Sequence, residues 1–319
     1  MKNNRIITMF LSLGFVLFSS CEGQETNNDL AYANIDSGLL NQAEGLPMRI
    51  PNDSMMLQEL IDPVLQSKLL AEINKVPKWK RLVSNKKMAI GIVDLTDVNN
   101  IRFARINGNH MMYAASLPKI AVLLAATDAL ENGELEETAD VKADMKIMIS
   151  KSNNAATTRM IDRVGFQKIE SVLTSDRYSL YDEEQGGGLW VGKRYASGGA
   201  TNREPIKNLS HAATVTQVCR FYYLLAQGKL VTQERSKQML EIMEDPALHH
   251  KFVNTLDKIA PHARLFRKSG SWKSYHSDSV LVWGKDPDRR YILVALIDDS
   301  NGEQIIRNLV VPIERALRK

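Results

Sequence analysis

The chain is 319 residues long, with 44% hydrophobic and 24% charged residues and a formal net charge of +4. This composition is that of a globular protein long enough to bury a substantial core. A charge excess this small favours neither nucleic-acid binding nor adsorption to a membrane surface, so no nucleic-acid partner is expected.

Residues 1–20 form a predicted secretory signal, with Lys2 and Arg5 ahead of an almost wholly apolar run at 6–18. The sequence LFSSC that ends at Cys21 resembles the bacterial lipobox, in which the cysteine becomes the lipidated N-terminus, although Phe18 is bulkier than usual there. We therefore expect an exported lipoprotein, held at a periplasmic or other cell-envelope membrane through Cys21. The alternative is an ordinary cleaved signal followed by a chance cysteine.

Residues 21–50 are rich in Asn, Gly, Asp and Glu and lack periodicity, so they are interpreted as a flexible tether. Residues 51–319 then form a single folded domain. Cys219 lies in an apolar stretch and has no partner for an internal disulfide once Cys21 is lipidated, which predicts a buried and inert thiol.

Beyond the tether, apolar residues recur at helical spacing over 57–70, although Pro63 interrupts the first turns. Short β-rich runs at 88–95 and 101–106 predict a hairpin. The pattern further predicts helices at 117–130, 142–150, 155–164 and 214–226, strands at 265–268, 279–283 and 291–297, and a last helix at 304–317.

This order predicts an α+β fold built in α/β/α layers. Strands from both ends of the chain can join in one antiparallel sheet, with the terminal helices on it and the middle of the chain as a helical subdomain. A crevice between the sheet and that subdomain is the natural place for a site.

Ser116-Leu117-Pro118-Lys119 is the first chemical motif. Pro118 suits the opening turn of a helix, and a serine and a lysine three residues apart lie on one helix face. A neutral lysine can take the proton that a serine must lose to become a nucleophile. The pattern S-x-x-K is common, and it recurs at Ser84-Asn85-Lys86-Lys87, which is interpreted as a solvated loop.

Ser152-Asn153-Asn154 lies between two predicted helices, where side chains can face a cleft. Ser and Asn are also preferred N-cap residues, so a purely structural cap is the alternative for this motif.

Lys268-Ser269-Gly270-Ser271 follows a strand-like run. A lysine on a strand edge offers a fixed positive charge to a substrate carboxylate, and Gly270 allows a ligand backbone to lie close. The alternative is a polar turn that ends the strand.

The order S-x-x-K, S-x-N and K-S/T-G resembles the serine β-lactamases and penicillin-binding proteins. The similarity covers roughly residues 57–317, and the stretch 149–157 is similar to the class A segment that enters the next helix. The resemblance implies the β-lactamase/transpeptidase-like fold for the catalytic domain, and it implies neither a cofactor nor a metal.

The resemblance also implies roles for the first two motifs. Ser116 is the nucleophile that becomes the acyl-enzyme ester, and Lys119 helps to activate it. Ser152 relays a proton to the leaving nitrogen, assisted by Lys268, and Asn154 binds the side-chain amide of the substrate.

For the third motif, the resemblance implies that Lys268 and Ser269 receive the substrate carboxylate. The backbone N–H groups of Ser116 and Ser271 would form the oxyanion hole.

Three features depart from the class A pattern. Asn153 stands where those enzymes usually have Asp, and Ser152 follows Ser116 by only 36 positions. The E-x-x-L-N string that carries the deacylating Glu is missing. Glu204 is the nearest approach to it, and an exposed loop Glu is the favoured interpretation of that residue.

The leading hypothesis is therefore a class A-like serine hydrolase that forms an acyl-enzyme with β-lactams. A D,D-peptidase or a slow-turnover penicillin-binding lipoprotein is the alternative, favoured by the missing Glu. A third possibility is a non-catalytic envelope lipoprotein of the same fold. The expected partner is a small β-lactam or a peptidoglycan-related substrate, and a monomer is expected.

Overall fold

The computed structural model describes residues 47–48 and 56–318. The predicted signal and the lipidated Cys21 lie outside the described residues, as does nearly all of the predicted tether. At the end of that tether, Met48 is buried and its N–H donates to Ala226 O (3.1 Å). The division into signal, tether and domain stays a prediction.

The described residues form helices and strands with the bounds given below, together with 3₁₀ turns at Leu57–Leu60 and Pro287–Arg289. The helices are α1 Pro63–Asn74, α2 Pro77–Ser84, α3 Lys119–Glu131, α4 Ala139–Ser150, α5 Asn154–Val164, α6 Phe166–Thr174, α7 Val215–Ala226, α8 Gln233–Met243, α9 Phe252–Ile259 and α10 Gly302–Leu317. The strands are β1 Met88–Asp94, β2 Arg102–Ile106, β3 Met112–Tyr113, β4 Tyr181–Asp182, β5 Gly187–Gly188, β6 Trp190–Val191, β7 His211–Ala213, β8 Arg264–Trp272, β9 Tyr275–Trp283 and β10 Arg290–Asp298.

The main sheet unites both ends of the chain, as the sequence predicted. Its order is β2-β1-β10-β9-β8, and every neighbouring pair is antiparallel. β1 pairs with β10 along its whole length, from Met88 opposite Ile297 to Asp94 opposite Tyr291. Strand β8 is therefore an edge strand, with one side free of other strands of this sheet.

The sheet is covered on both faces, because the residues of β1 alternate between two apolar cores. Ala89 and Val93 belong to the core that the sheet shares with α3 and α7. Ile90 and Ile92 belong to the core beneath α1, α9 and α10. The α/β/α layering is thus confirmed. In the described part of the chain, no helix is long and apolar enough to cross a membrane.

Several predictions about single elements were wrong in detail. Pro63 does not interrupt a helix but begins α1, where the Asp62 carboxylate accepts from Leu65 N (2.6 Å). The strand predicted at 265–268 does not end at Lys268, because β8 continues to Trp272. The K-S-G motif therefore lies inside an edge strand and not in a turn after it.

Helices α2, α6, α8 and α9 were not predicted. They are short, and α8 has a largely polar sequence that gives only a weak apolar period. Cys219 is fully buried in α7, as predicted, and burial raises the pKa of its thiol well above the usual value.

A buried ion pair joins β8 to β9. The Asp278 carboxylate accepts from Arg267 Nε (2.7 Å) and Nη2 (3.0 Å), and both side chains are almost inaccessible to solvent. Asp278 also accepts from the backbone N–H groups of Phe252 (3.1 Å) and Ser279 (3.0 Å). The pair therefore fixes the start of α9 against the two strands that carry the third motif.

We predict that Asp278→Asn lowers the free energy of unfolding by about 3–5 kcal/mol, because Arg267 is left as an uncompensated buried charge. Urea unfolding followed by circular dichroism measures the loss. The control is Glu244→Gln, which breaks the partly exposed ion pair of Glu244 with Arg264, a residue of the same strand β8 as Arg267. This variant should lower the free energy of unfolding by about 1 kcal/mol or less. Equal losses in the two variants would contradict the assignment of Asp278.

Candidate active site

Ser116 lies in the turn between β3 and α3, and both flanks of that turn are fixed. Ala114 N donates to His211 O (2.9 Å), and Ala114 O accepts from Ser277 Oγ (2.7 Å). Ala115 has φ +51°, a conformation that a residue with a Cβ rarely adopts and that tends to occur at functional sites. Helix α3 begins at Lys119, directly after Pro118, so Ser116 lies just before the N-terminus of a largely buried helix.

Lys119 is fully buried although it is a lysine. Its Nζ donates to Ser152 O (2.7 Å), Asn154 Oδ1 (2.8 Å) and, at 3.3 Å, Ser152 Oγ. It also lies 4.5 Å from the centroid of the Tyr195 ring. Burial lowers the pKa of Lys119 to about 7, so a substantial fraction of the amine is neutral at physiological pH.

Ser152 lies between two lysines. Its Oγ accepts from Lys268 Nζ (2.9 Å) as well as from Lys119 Nζ. Lys268 is buried, and its pKa is held well below the ordinary value by burial and by the nearby charge of Lys119. A hydroxyl that accepts from two amines of lowered pKa has its own proton free to donate, which is the property of a proton relay.

The S-x-N motif serves the site and the helix at once. Asn153 is the N-cap of α5, since its Oδ1 accepts from Ala156 N (2.8 Å). Ser152 has φ +54° and turns its side chain towards the lysines. Asn154 has its carbonyl oxygen bound to Lys119, so its amide N–H₂ is left for a ligand in the cleft. Asn153 is therefore the structural cap, whereas Ser152 and Asn154 belong to the site.

Gly270 brings the third motif against the nucleophile turn. A Cβ at this position would lie 2.5 Å from both Ser116 N and Ala114 O, so only glycine allows the two backbones to approach this closely. Ser271, the next residue, is thereby placed beside Ser116. This proximity is what an oxyanion hole made of the Ser116 and Ser271 N–H groups requires.

Ser269 is buried, and its Oγ lies 3.2 Å from His250 Nε2. Burial and the charge of Arg267 lower the pKa of His250 to about 3, so this histidine is neutral. The predicted site residues Ser116, Lys119, Ser152, Asn154, Lys268, Ser269 and Ser271 are thus gathered around one junction of the sheet and the helical subdomain. Their chemical roles stay predictions.

A cleft of about 590 Å³ opens beside these residues, in the size range of small-molecule sites. Its walls are aromatic and basic, and they include Tyr113, Tyr195, Trp272, Tyr275, Lys193, Arg194 and Arg203. Arg194 pairs with Asp162 (2.6 Å), whereas Arg203 donates to a backbone carbonyl and forms no ion pair in the described part of the chain. Within the described residues, no carboxylate lines this cleft.

Tyr195 and His211 form the wall next to Lys119. Tyr195 Oη donates to Ala115 O (2.9 Å), and its ring packs against that of His211 at 4.2 Å between centroids. Burial raises the pKa of Tyr195 and lowers that of His211 to about 4, so both are neutral. Because Lys193 O accepts from His211 Nε2 (3.0 Å), Nδ1 is the acceptor from the Ser210 hydroxyl. His211 is therefore a fixed wall residue and not a free base.

Glu204 is buried, so the expectation that it is an exposed loop residue was wrong. Its carboxylate accepts from Ile206 N (2.8 Å), Lys207 N (2.7 Å) and Leu209 N (2.8 Å), and from Tyr181 Oη (3.2 Å). These four donors occupy its oxygens and fold the loop around them. Glu204 therefore has a structural environment, and it does not line the cleft.

Sequence reasoning missed several residues of the site. Tyr195 and Ser277 carry no motif, and their positions are set by contacts distant in sequence. The second S-x-x-K is exposed, as expected, but Ser84 ends helix α2 and does not lie in a loop. Its Oγ donates to Lys80 O (3.0 Å). Among residues 47–48 and 56–318, no cluster of three or more His, Cys, Asp or Glu side chains has a metal-binding arrangement.

Solved structures with this architecture include several β-lactamases. A β-lactamase from Sphaerobacter thermophilus is 18% identical, covering 80% of this chain and 96% of that chain with a TM-score of 0.61. A class A β-lactamase from Bacteroides cellulosilyticus is 16% identical, covering 80% and 99% with a TM-score of 0.59. A mutant of PBP-A, solved as an acyl-enzyme complex with penicillin G, is 17% identical, covering 79% and 95% with a TM-score of 0.59.

At these identities the solved structures show a shared fold. No curated protein sequence matches the chain. The sequence profile of the beta-lactamase enzyme family, in contrast, matches residues 71–147 and 141–318. That range contains all three motifs and most of the folded domain, so the chain belongs to the beta-lactamase enzyme family.

Proposed function

We propose that this protein is a serine hydrolase that β-lactams acylate at Ser116 and that releases the acyl group slowly, as a penicillin-binding protein does. The observation that carries the proposal is the hydrogen-bonded chain Lys119–Ser152–Lys268, in which both lysines are buried. Two buried lysines joined through one hydroxyl are costly to fold, and proton transfer explains their presence.

The proposed acylation proceeds in two steps. Ser116 Oγ bonds to the carbonyl carbon of the substrate amide as its proton passes to neutral Lys119. The N–H groups of Ser116 and Ser271 stabilise the resulting oxyanion. The C–N bond then breaks as Ser152 gives its proton to the leaving nitrogen, and Lys119 returns a proton to Ser152.

Release of the acyl group requires a water molecule activated by a base. Glu204 is the nearest counterpart in sequence, and its carboxylate already accepts four hydrogen bonds in a loop. The cleft walls described above contribute cations and aromatic rings. This environment supports binding of an anionic substrate, and it supports slow deacylation over efficient β-lactamase turnover.

Slow release of a β-lactam acyl group is typical of penicillin-binding proteins. It therefore favours a D,D-peptidase, which uses the same acylation chemistry on peptidoglycan-related peptides. An efficient class A-like β-lactamase remains the second candidate, which the family membership favours. A protein that has lost catalysis would have no need to keep Lys119 and Lys268 buried.

The test is intact-protein mass after mixing residues 47–319 with penicillin. We predict an adduct of penicilloyl mass that persists for minutes or longer in the parent protein and is absent in Ser116→Ala. An adduct that decays within seconds would identify a β-lactamase. The absence of any adduct or penicillin loss would overturn the proposed function.

The same experiment examines Glu204. Glu204→Gln should lower the melting temperature, because the loop loses charge-assisted hydrogen bonds, and it should leave the adduct lifetime within about a factor of three, since that carboxylate activates no water. A lifetime lengthened by orders of magnitude would instead identify Glu204 as the deacylating base.

The pKa of Lys119 predicts the pH dependence of acylation. Only the neutral amine can accept the Ser116 proton, so the acylation rate should fall tenfold per pH unit below about 7 and level off above it. Stopped-flow acylation with a chromogenic cephalosporin measures the profile. Lys119→Arg, which stays protonated, should lose at least about 10²-fold, and a flat profile in the parent would exclude Lys119 as the base.

We also propose that the protein is exported and held at a cell-envelope membrane by a lipid on Cys21, outside the described residues. Lipidation predicts that the full-length protein incorporates a labelled fatty acid in a bacterial host and that Cys21→Ser does not. Equal labelling of the two proteins would contradict this anchor.

A further inference from the structure

A third buried lysine lies behind the edge strand. Lys251 precedes α9, has φ +56° and is fully inaccessible to solvent. Its Nζ donates to Gly270 O (2.5 Å), Ser277 O (3.0 Å) and Ser271 Oγ (2.8 Å). It therefore contacts both β8 and β9 at the K-S-G motif, from a segment that the three motifs do not include.

Lys251 makes no ion pair within the described residues. The nearby Asp278 is committed to Arg267 and to two backbone N–H groups. Burial lowers the pKa of Lys251 to about 8 while Asp278 opposes the shift, so most of the amine is protonated at neutral pH. A buried cation that faces neutral oxygens is costly to keep, and stability alone does not explain it.

The carbonyl that Lys251 contacts belongs to the peptide group between Gly270 and Ser271, whose N–H is proposed for the oxyanion hole. Gly270 C=O and Ser271 N–H are the two ends of one peptide group, and in a trans peptide they point in opposite directions. With the carbonyl turned to Lys251, the N–H points away from it. Gly270 lies close to Ser116 N, so the N–H of Ser271 is the one assigned to the oxyanion hole together with that of Ser116.

A positive charge on a peptide oxygen draws electron density from the nitrogen and makes the N–H a stronger donor. We propose that Lys251 is a positioning residue that polarises the Gly270–Ser271 peptide and thereby strengthens the Ser271 N–H towards the oxyanion. This inference rests on the proposed acylation of Ser116. The substrate does not contact Lys251, which acts entirely through that peptide.

The contacts also allow a purely structural role, in which Lys251 only ties α9 to the two strands. The two roles differ in what the acyl-enzyme would show. A stronger oxyanion-hole donor lengthens the ester carbonyl bond and lowers its stretching frequency, whereas a tie affects only stability. The stretching frequency of the ester carbonyl therefore distinguishes the two roles.

The experiment measures the infrared band of the acyl-enzyme formed with penicillin ¹³C-labelled at the β-lactam carbonyl. In Lys251→Met we expect the ester band at a higher frequency and acylation slowed by about tenfold or more, less than the loss of a whole oxyanion-hole donor. Lys251→Gln keeps a hydrogen-bond donor without the charge, and Lys251→Arg keeps the charge. The expected order of acylation rates is parent, Arg, Gln, Met.

The matched control is Leu256→Ala, which destabilises the same helix from a fully buried position without touching the peptide. It should lower the melting temperature and leave the ester band unchanged. If Lys251→Met fails to fold, Lys251→Gln carries the comparison. An unchanged band and an unchanged rate in a folded Lys251 variant would overturn the inference, whereas the absence of any ester band in the parent would overturn the proposed function itself.

Discussion

The hydrogen-bonded chain from Lys119 through Ser152 to Lys268 is the interaction on which the rest of the site depends. It joins the first helix of the subdomain, the loop before α5 and the edge strand of the sheet. Burial of two lysines is costly, and the charge of Lys119 lowers the pKa of Lys268 further. Because burial lowers the pKa of Lys119 to about 7, the proposed proton path can begin and end with its neutral amine.

Close backbone approach is the second constraint. Gly270 allows β8 to lie against the turn of Ser116, and Ser277 fixes that turn through Ala114 O. Lys251 then supports the strand from the other side. The two backbone N–H groups that we propose for the oxyanion hole are thus positioned partly by side chains outside the three motifs. The residues proposed for acylation can therefore keep their arrangement while the loops around them differ.

The region around Glu204 illustrates such a difference. A carboxylate near the expected place in the chain has become the centre of a folded loop, with its charge balanced by backbone donors. Tyr195 occupies the wall beside Lys119 instead. Retention of the residues proposed for acylation, alongside a loop that offers no free carboxylate to the cleft, is consistent with the proposed slow turnover.

The sequence alone determined the layer order, the strands that join both chain ends and the three motifs. The periodicity of apolar residues and the spacing within each motif involve only residues close together in the chain. The start of α1 is also a local signal, Asp62 followed by Pro63, which the prediction misread. That β8 runs past Lys268 depends on its pairing with β9 and could not be predicted from local sequence. Only the tertiary structure decided the burial of Glu204 and the contacts of Tyr195 and Lys251. The partners of Tyr195 and Lys251 lie far away in sequence, and Tyr181, which contacts the otherwise locally bonded Glu204, is also distant. Long-range packing, with the desolvation it imposes, sets what such side chains can do.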